Sequence, residues 1–138
     1  MKQEPEPNKA RYRRIVAIIL VCYWVALFIG THGPAPNLSR LPENTDKGLH
    51  FLAYAGLAFL LGLWMSTRYA MRLRHYLAAL ALTAVYGVID ECLQLLVDRH
   101  ADIYDAYADW TGSVLGLSAL YVVRRSMGRS SKVRGSQS

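Results

Sequence analysis

Asp90, Glu91 and Gln94 interrupt an apolar run, 76–97, that is otherwise written mostly in Leu, Ala, Val and Tyr. Two carboxylates and an amide in such a run can bind a polar group, carry a proton or clamp neighbouring helices by hydrogen bonds. A second set, Asp46, His50 and Tyr54, repeats every four residues, which puts all three on one helix face. An unperturbed histidine titrates near neutrality, so His50 and Glu91 are the candidate acid/base pair. A third set, Asp105 and Asp109, leads into Gly112 and Gly116 along one narrow helical stripe. That GxxxG spacing lets another helix approach closely. Arg99 offers forked donors to an anionic group.

Each set also has a plainer reading. Glu91 and Gln94 can serve only as a polar clamp between helices, and His50 can simply be hydrogen-bonded to a neighbour. Arg99 can pair with Asp102 or Glu91, and Asp102 suits a helix start through the macrodipole. Asp90 points about 100° away from Glu91 on a helix and is left outside the main site, facing helix four or one. Asp46, His50, Glu91 and Asp109 could in principle give mixed nitrogen–oxygen metal ligation. Without HExxH or paired histidines no metal is expected, and no cofactor either. Cys22 and Cys92 have no CxxC or Cys/His metal spacing and read as small apolar residues. There is no GxSxG, no P-loop and no dinucleotide glycine fingerprint.

The elements that must position these residues follow from hydropathy. Hydrophobic residues make up 53% of the 138, more than a soluble domain of this size can bury. They collect in blocks at 15–31, 49–65, 76–97 and 106–123. Crossing a hydrocarbon core of about 30 Å takes a helix of roughly 17–25 residues. The sequence therefore predicts an all-α polytopic membrane protein, a bundle of four transmembrane helices at about 15–31, 47–66, 76–97 and 106–123. The first block follows a basic leader, 1–14, but is long for a signal peptide and is read as an uncleaved helix. The tail, 124–138, is basic, Ser-rich and read as disordered. Tyr23, Trp24, Trp64, Tyr69, Tyr76, Tyr107 and Trp110 suit interfacial anchoring.

Charge orients the bundle. The net charge is +6, yet thirteen of the sixteen basic residues lie in the leader, the second link and the tail. With four spans these segments share one side, and the positive-inside rule makes it cytoplasmic. Both termini are thus expected inside, in a multi-pass protein of the inner (plasma) membrane. The clustering of the basic residues argues against nucleic acid as the partner. Eight of the ten acids fall on the outer side, against Arg40, Lys47 and Arg99.

Depth then brings the sets together. A helix rises about 1.5 Å per residue, so Asp90 and Glu91 lie roughly 9–11 Å below the outer end of helix three. His50 is one turn into helix two, Tyr54 two turns, and Asp109 one turn into helix four. All fall in the outer third of the membrane, where ionisable groups cost about 2.5–3.5 kcal/mol each unless they face one another or water.

The stretch "DKGLHFLAYAGLAFL", followed by "DECLQLLVDRHADIYDAYADWTGSVLG", resembles the VanZ-like integral membrane proteins. The matching positions are Asp46, His50 and Phe51, Tyr54, Glu91, Gln94, Arg99, Asp105, Gly112 and Gly116, within about 41–122. Asp109 departs from the pattern, since the family commonly has Asn there. The resemblance implies a cell-envelope context, the family being named for a protein associated with low-level resistance to the glycopeptide teicoplanin.

The expected ligand-binding set is Asp46, His50, Tyr54, Glu91, Gln94, Arg99, Asp105 and Asp109, with Gly112 and Gly116 packing helices. The expected function is recognition of an amphipathic envelope molecule: a lipid headgroup, a lipid-linked precursor or a glycopeptide. The alternatives are an acid/base enzyme on a lipid-like substrate, using Glu91 and His50, and a structural or assembly protein. The bilayer is the first partner, and four small helices also allow a homo-oligomer or a membrane-protein partner.

Overall fold

A computed structural model describes residues 7–33, 45–97 and 103–134, without the side chains of 7, 97 and 128–134. Every element is helical: α1 (Pro7–His32), α2 (Thr45–Ser66), α3 (Leu73–Gln94), a 3-10 turn (Leu95–Val97) and α4 (Ile103–Arg134). Helices α1, α2 and α3 are each long and apolar enough to cross a membrane. In α4, Asp105, Asp109, Thr111 and Ser113 dilute the apolar stretch. Helix α4 packs closely along α2.

Burial runs opposite to that of a soluble protein. Leu52 is 65% and Ile18 62% exposed, while Asp90 and Asp109 are 0% exposed. A bilayer solvates the first pair as well as a core would, and the acids have only the bundle interior to turn to.

The buried residues repeat at the helical period. On α2 they are His50, Tyr54, Leu57, Ala58, Gly62 and Met65; on α3, Ala79, Thr83, Gly87, Asp90, Glu91 and Gln94. On α4 they are Asp105, Asp109, Gly112, Ser113, Gly116, Leu117 and Leu120. Each stripe is polar at one end and small or apolar at the other, so the bundle has a polar end and a dry end.

Helices α2 and α4 run parallel and share the closest seam. A Cβ on Gly112 would collide with the Phe51 carbonyl, and one on Gly116 with the Ala55 carbonyl. Four residues on one helix match four on the other, so the two backbones touch over a full turn. Further along, Gly62 leaves room for Leu120, whose Cδ2 would sit 2.6 Å from an added Cβ. Such small-residue seams let van der Waals contact hold helices that no hydrophobic effect drives together in lipid.

The dry end is built from Ala58, Met65, Ala79 and Leu117, with Trp64, Met71 and Tyr76 against them. There the α2–α3 link is tied by local bonds. The Thr67 hydroxyl donates to the Trp64 carbonyl at 2.7 Å, satisfying an orphan carbonyl of the last turn. The Arg72 backbone N–H donates to His75 Nδ1 at 3.0 Å and so starts α3. Helix α1 leans on the bundle mainly through Leu27 packed with Tyr54 and Leu57. The Tyr23 hydroxyl also donates to the Ala53 carbonyl at 2.9 Å.

Two boundaries differ from expectation. Helix α1 already begins at Pro7, within the leader, because Pro is tolerated in a first turn where its missing N–H is not needed. Helix α4 continues to Arg134, so 124–134 is helical where the sequence reads as disordered. Arg, Met and Lys are good helix formers, and basic residues suit a helix C-terminus.

Candidate functional site

The polar end is where α1 and α3 finish and α2 and α4 begin. Its centre joins three helices. His50 Nδ1 lies 3.1 Å from Asp109 Oδ1 and 4.0 Å from Glu91 Oε1. Side-chain exposure of the three is 6%, 0% and 9% in the order His50, Asp109, Glu91. The stripe positions on α2, α3 and α4 explain the meeting: each residue sits on the inward face, one or two turns from its helix end. Gly87 of α3 completes the fit. A Cβ there would be 3.1 Å from Asp109 Oδ2 and 3.4 Å from Tyr54 Cε1.

A second nest joins α3 to α1. Asp90 Oδ1 accepts from the Thr31 hydroxyl at 3.2 Å and from the Tyr86 hydroxyl at 3.4 Å. His32 Nδ1 stands 3.7 Å from the same oxygen. The Gln94 amide donates to Asp90 Oδ2 at 3.4 Å. Asp90 therefore turns to helix one, and Gln94, one turn on, serves Asp90. Tyr54 lies between the two nests. It is fully buried, and its ring stacks on Tyr86 with centroids 5.9 Å apart.

A third group is nearer the helix starts. Lys47 Nζ is 3.9 Å from Asp105 Oδ1 and 5.8 Å from the centre of the Tyr104 ring. Asp46, Asp105 and a ring nitrogen of His50 lie within 4.8 Å of one another. The His50 ring is thus bracketed by acids from α2, α3 and α4.

Seven of the eight expected ligand residues are described and occupy this end of the bundle: Asp46, His50, Tyr54, Glu91, Gln94, Asp105 and Asp109. Arg99 lies outside the described residues. Sequence reasoning left out Asp90, Thr31, His32 and Ser113. The i, i+4 spacing of Asp90 and Gln94 was the available signal for the first. Thr31 and His32 carried none, because nothing in the chain's pattern tells which helix Asp90 faces.

Several buried polar atoms at this end have no hydrogen-bond partner among the described residues: Asp109 Oδ2, the Tyr54 hydroxyl, the Ser113 hydroxyl and His32 Nε2. Five carboxylates are gathered here, with His32, His50 and Lys47 as the basic groups among the described residues. Such a nest can hold a cation, share protons, or accept hydrogen bonds from ammonium and hydroxyl groups.

The sequence model of the VanZ/LLP1 family matches residues 8–124, most of the chain. The chain belongs to the VanZ/LLP1 family. Neither a curated protein nor a solved structure matches it. As a VanZ/LLP1 member with three apolar helices long enough to span, it is a multi-pass membrane protein. The matched stretch contains every described residue of the polar end.

Proposed function

We propose that the polar end recognises the head of an amphipathic cell-envelope molecule entering from the outer leaflet of the inner membrane. The molecule is a lipid headgroup, a lipid-linked precursor or a glycopeptide, and membership of the VanZ/LLP1 family supports an envelope setting for it. The observation that carries the reading is the set of unpartnered buried atoms beside a carboxylate nest. Asp109 Oδ2 and the Tyr54 and Ser113 hydroxyls are buried acceptors and donors with no hydrogen-bond partner among the described residues. Leaving such groups unsatisfied costs about 1–3 kcal/mol each, which a ligand's own polar atoms would recover.

An apolar groove supports the amphipathic part. It has a volume of about 360 Å³ and is lined by Leu20, Trp24, Leu57, Leu61, Leu82 and Tyr86, among others. Tyr86 lines this groove and also bonds Asp90. A chain in the groove would thus lead to a head at the nest. With both termini cytoplasmic, as the basic residues indicate, the nest opens to the outer leaflet.

The test is lipid and envelope-precursor profiling of a deletion strain rescued with wild type or with Glu91→Gln. A molecule that accumulates on deletion and is cleared only by wild type names the ligand class. An unchanged profile in all strains counts against recognition of an envelope molecule. The 4.0 Å approach of His50 to Glu91 favours one second reading, acid/base chemistry on the bound lipid. It predicts a product missing in the Glu91→Gln strain, whereas binding alone predicts a displaced molecule and no missing product.

A further inference from the structure

We propose that His50, Glu91 and Asp109 form a binding site for a divalent transition-metal cation, with Zn²⁺ the ion the donor set suits. One ligand atom from each of the three residues lies within 4.8 Å of the other two, and all three residues are buried. They come from three different helices, so an ion between them would tie α2, α3 and α4 at one point.

The distances lie within reach of an ion's coordination geometry. Zn²⁺ takes His nitrogen at about 2.0–2.1 Å and carboxylate oxygen at about 2.0–2.2 Å, so tetrahedral ligand atoms sit about 3.3–3.5 Å apart. His50 Nδ1 is 3.1 Å from Asp109 Oδ1 and 4.0 Å from Glu91 Oε1, one slightly short and one slightly long. The third edge, Asp109 to Glu91, closes within 4.8 Å, so side-chain shifts of about 1 Å reach the coordination geometry. The ion takes the place of the proton now shared between His50 and Asp109.

Charge points the same way. Two carboxylates and an imidazole attract a divalent cation, and that attraction is stronger in a low-dielectric layer than in water. The second observation is the set of orphaned atoms around the three ligands. Asp109 is fully buried, and its Oδ2 has no hydrogen-bond partner among the described residues. Tyr54 follows His50 by one turn and Ser113 follows Asp109 by one turn; both are fully buried with unpartnered hydroxyls. Hydroxyls so placed suit an ion-bound water. Asp46 and Asp105 each bring a carboxylate oxygen within 4.8 Å of a His50 ring nitrogen, adding acids beside the ligating histidine.

Three protein ligands leave a coordination position open. An ion there would reverse what the nest offers a ligand: bare carboxylates repel a phosphate, while a metal with an open position ligates one. The metal proposal stands whether or not a headgroup binds.

The experiment uses the full chain, purified tag-free in detergent, stripped with a chelator and reloaded. Elemental analysis after removing excess Zn²⁺ should find about one ion per chain. Co²⁺ loading should give the visible d–d bands of a low-symmetry site. His50→Ala, Glu91→Gln and Asp109→Asn should each weaken Zn²⁺ binding by about tenfold or more, while Asp90→Asn, in the neighbouring nest, leaves it unchanged. Where a variant does not fold, the wild type still decides: Zn²⁺ should raise its melting temperature in a saturable way that Mg²⁺ does not reproduce. Substoichiometric metal with no Zn²⁺-dependent shift overturns the site, as does metal retained when all three ligands are replaced. Loss of metal with an unchanged lipid profile would remove headgroup recognition and leave the metal site intact.

Discussion

His50 Nδ1 and Asp109 Oδ1, 59 residues apart in the chain, meet at 3.1 Å inside a membrane helix bundle. This pair joins α2 to α4 directly above the seam where Gly112 rides on Phe51. Both members are on inward faces, and neither has water to fall back on. Their bond is therefore part of how the two helices keep their rotation.

Replacing Asp109 with Leu should destabilise the bundle by about 1–3 kcal/mol, because His50 loses its partner and stays buried. Asp109→Asn keeps an acceptor oxygen and should cost about 1 kcal/mol or less. Thermal unfolding of the purified variants in detergent checks this. Equal losses for the two changes would show that the pair contributes nothing beyond side-chain volume.

Gly112→Ala and Gly116→Ala should each cost about 1–3 kcal/mol or more, since the added methyl meets a backbone carbonyl that cannot swing aside. Gly48→Ala is the control, because a Cβ there meets nothing within 4 Å. It should lie within about 0.5 kcal/mol of wild type or slightly above it. Size-exclusion profiles after stepwise heating give the order. A Gly48 variant as unstable as the Gly112 variant would mean that helix propensity, not the seam, sets the loss.

Asp90→Ala should release the end of α1. It removes the acceptor for Thr31, Tyr86 and Gln94 and the neighbour of His32. Hydrogen bonds to a charged group contribute about 1.5–3 kcal/mol, so the local loss is about tenfold to a hundredfold in exchange protection. Hydrogen–deuterium exchange should speed up over 27–33 while the dry end around Ala58 and Leu117 keeps its protection. Uniform speeding of all helices would instead mean global unfolding.

The proposed orientation is checked by fusions. A fluorescent protein that matures only in the cytoplasm should glow at the C-terminus. A periplasmic phosphatase joined there should be inactive, and an epitope inserted in 34–44 should be reached from outside. The opposite pattern would put the polar end on the cytoplasmic face and redirect the search for a ligand to inner-leaflet molecules.

Much of this architecture is a one-dimensional property of the chain. Apolar blocks of span length, separated by charged links, dictate helices, because lipid forces backbone groups to bond within each segment. The spacing of Asp46, His50 and Tyr54, and of Asp109, Gly112 and Gly116, fixes which residues share a face. Their distance from each helix end fixes which lie at one depth. What the chain's pattern does not hold is how the helices are ordered around the bundle and how far each is rotated. Those depend on contacts between segments far apart in sequence. Only the tertiary structure pairs Asp109 with His50 and sends Asp90 to Thr31 and His32. It also runs α2 and α4 in parallel, with Phe51 on Gly112 and Ala55 on Gly116. The physical reason is that in lipid the apolar surface of a helix has no preferred neighbour. Close backbone approach at small residues and the few polar partners then decide the arrangement.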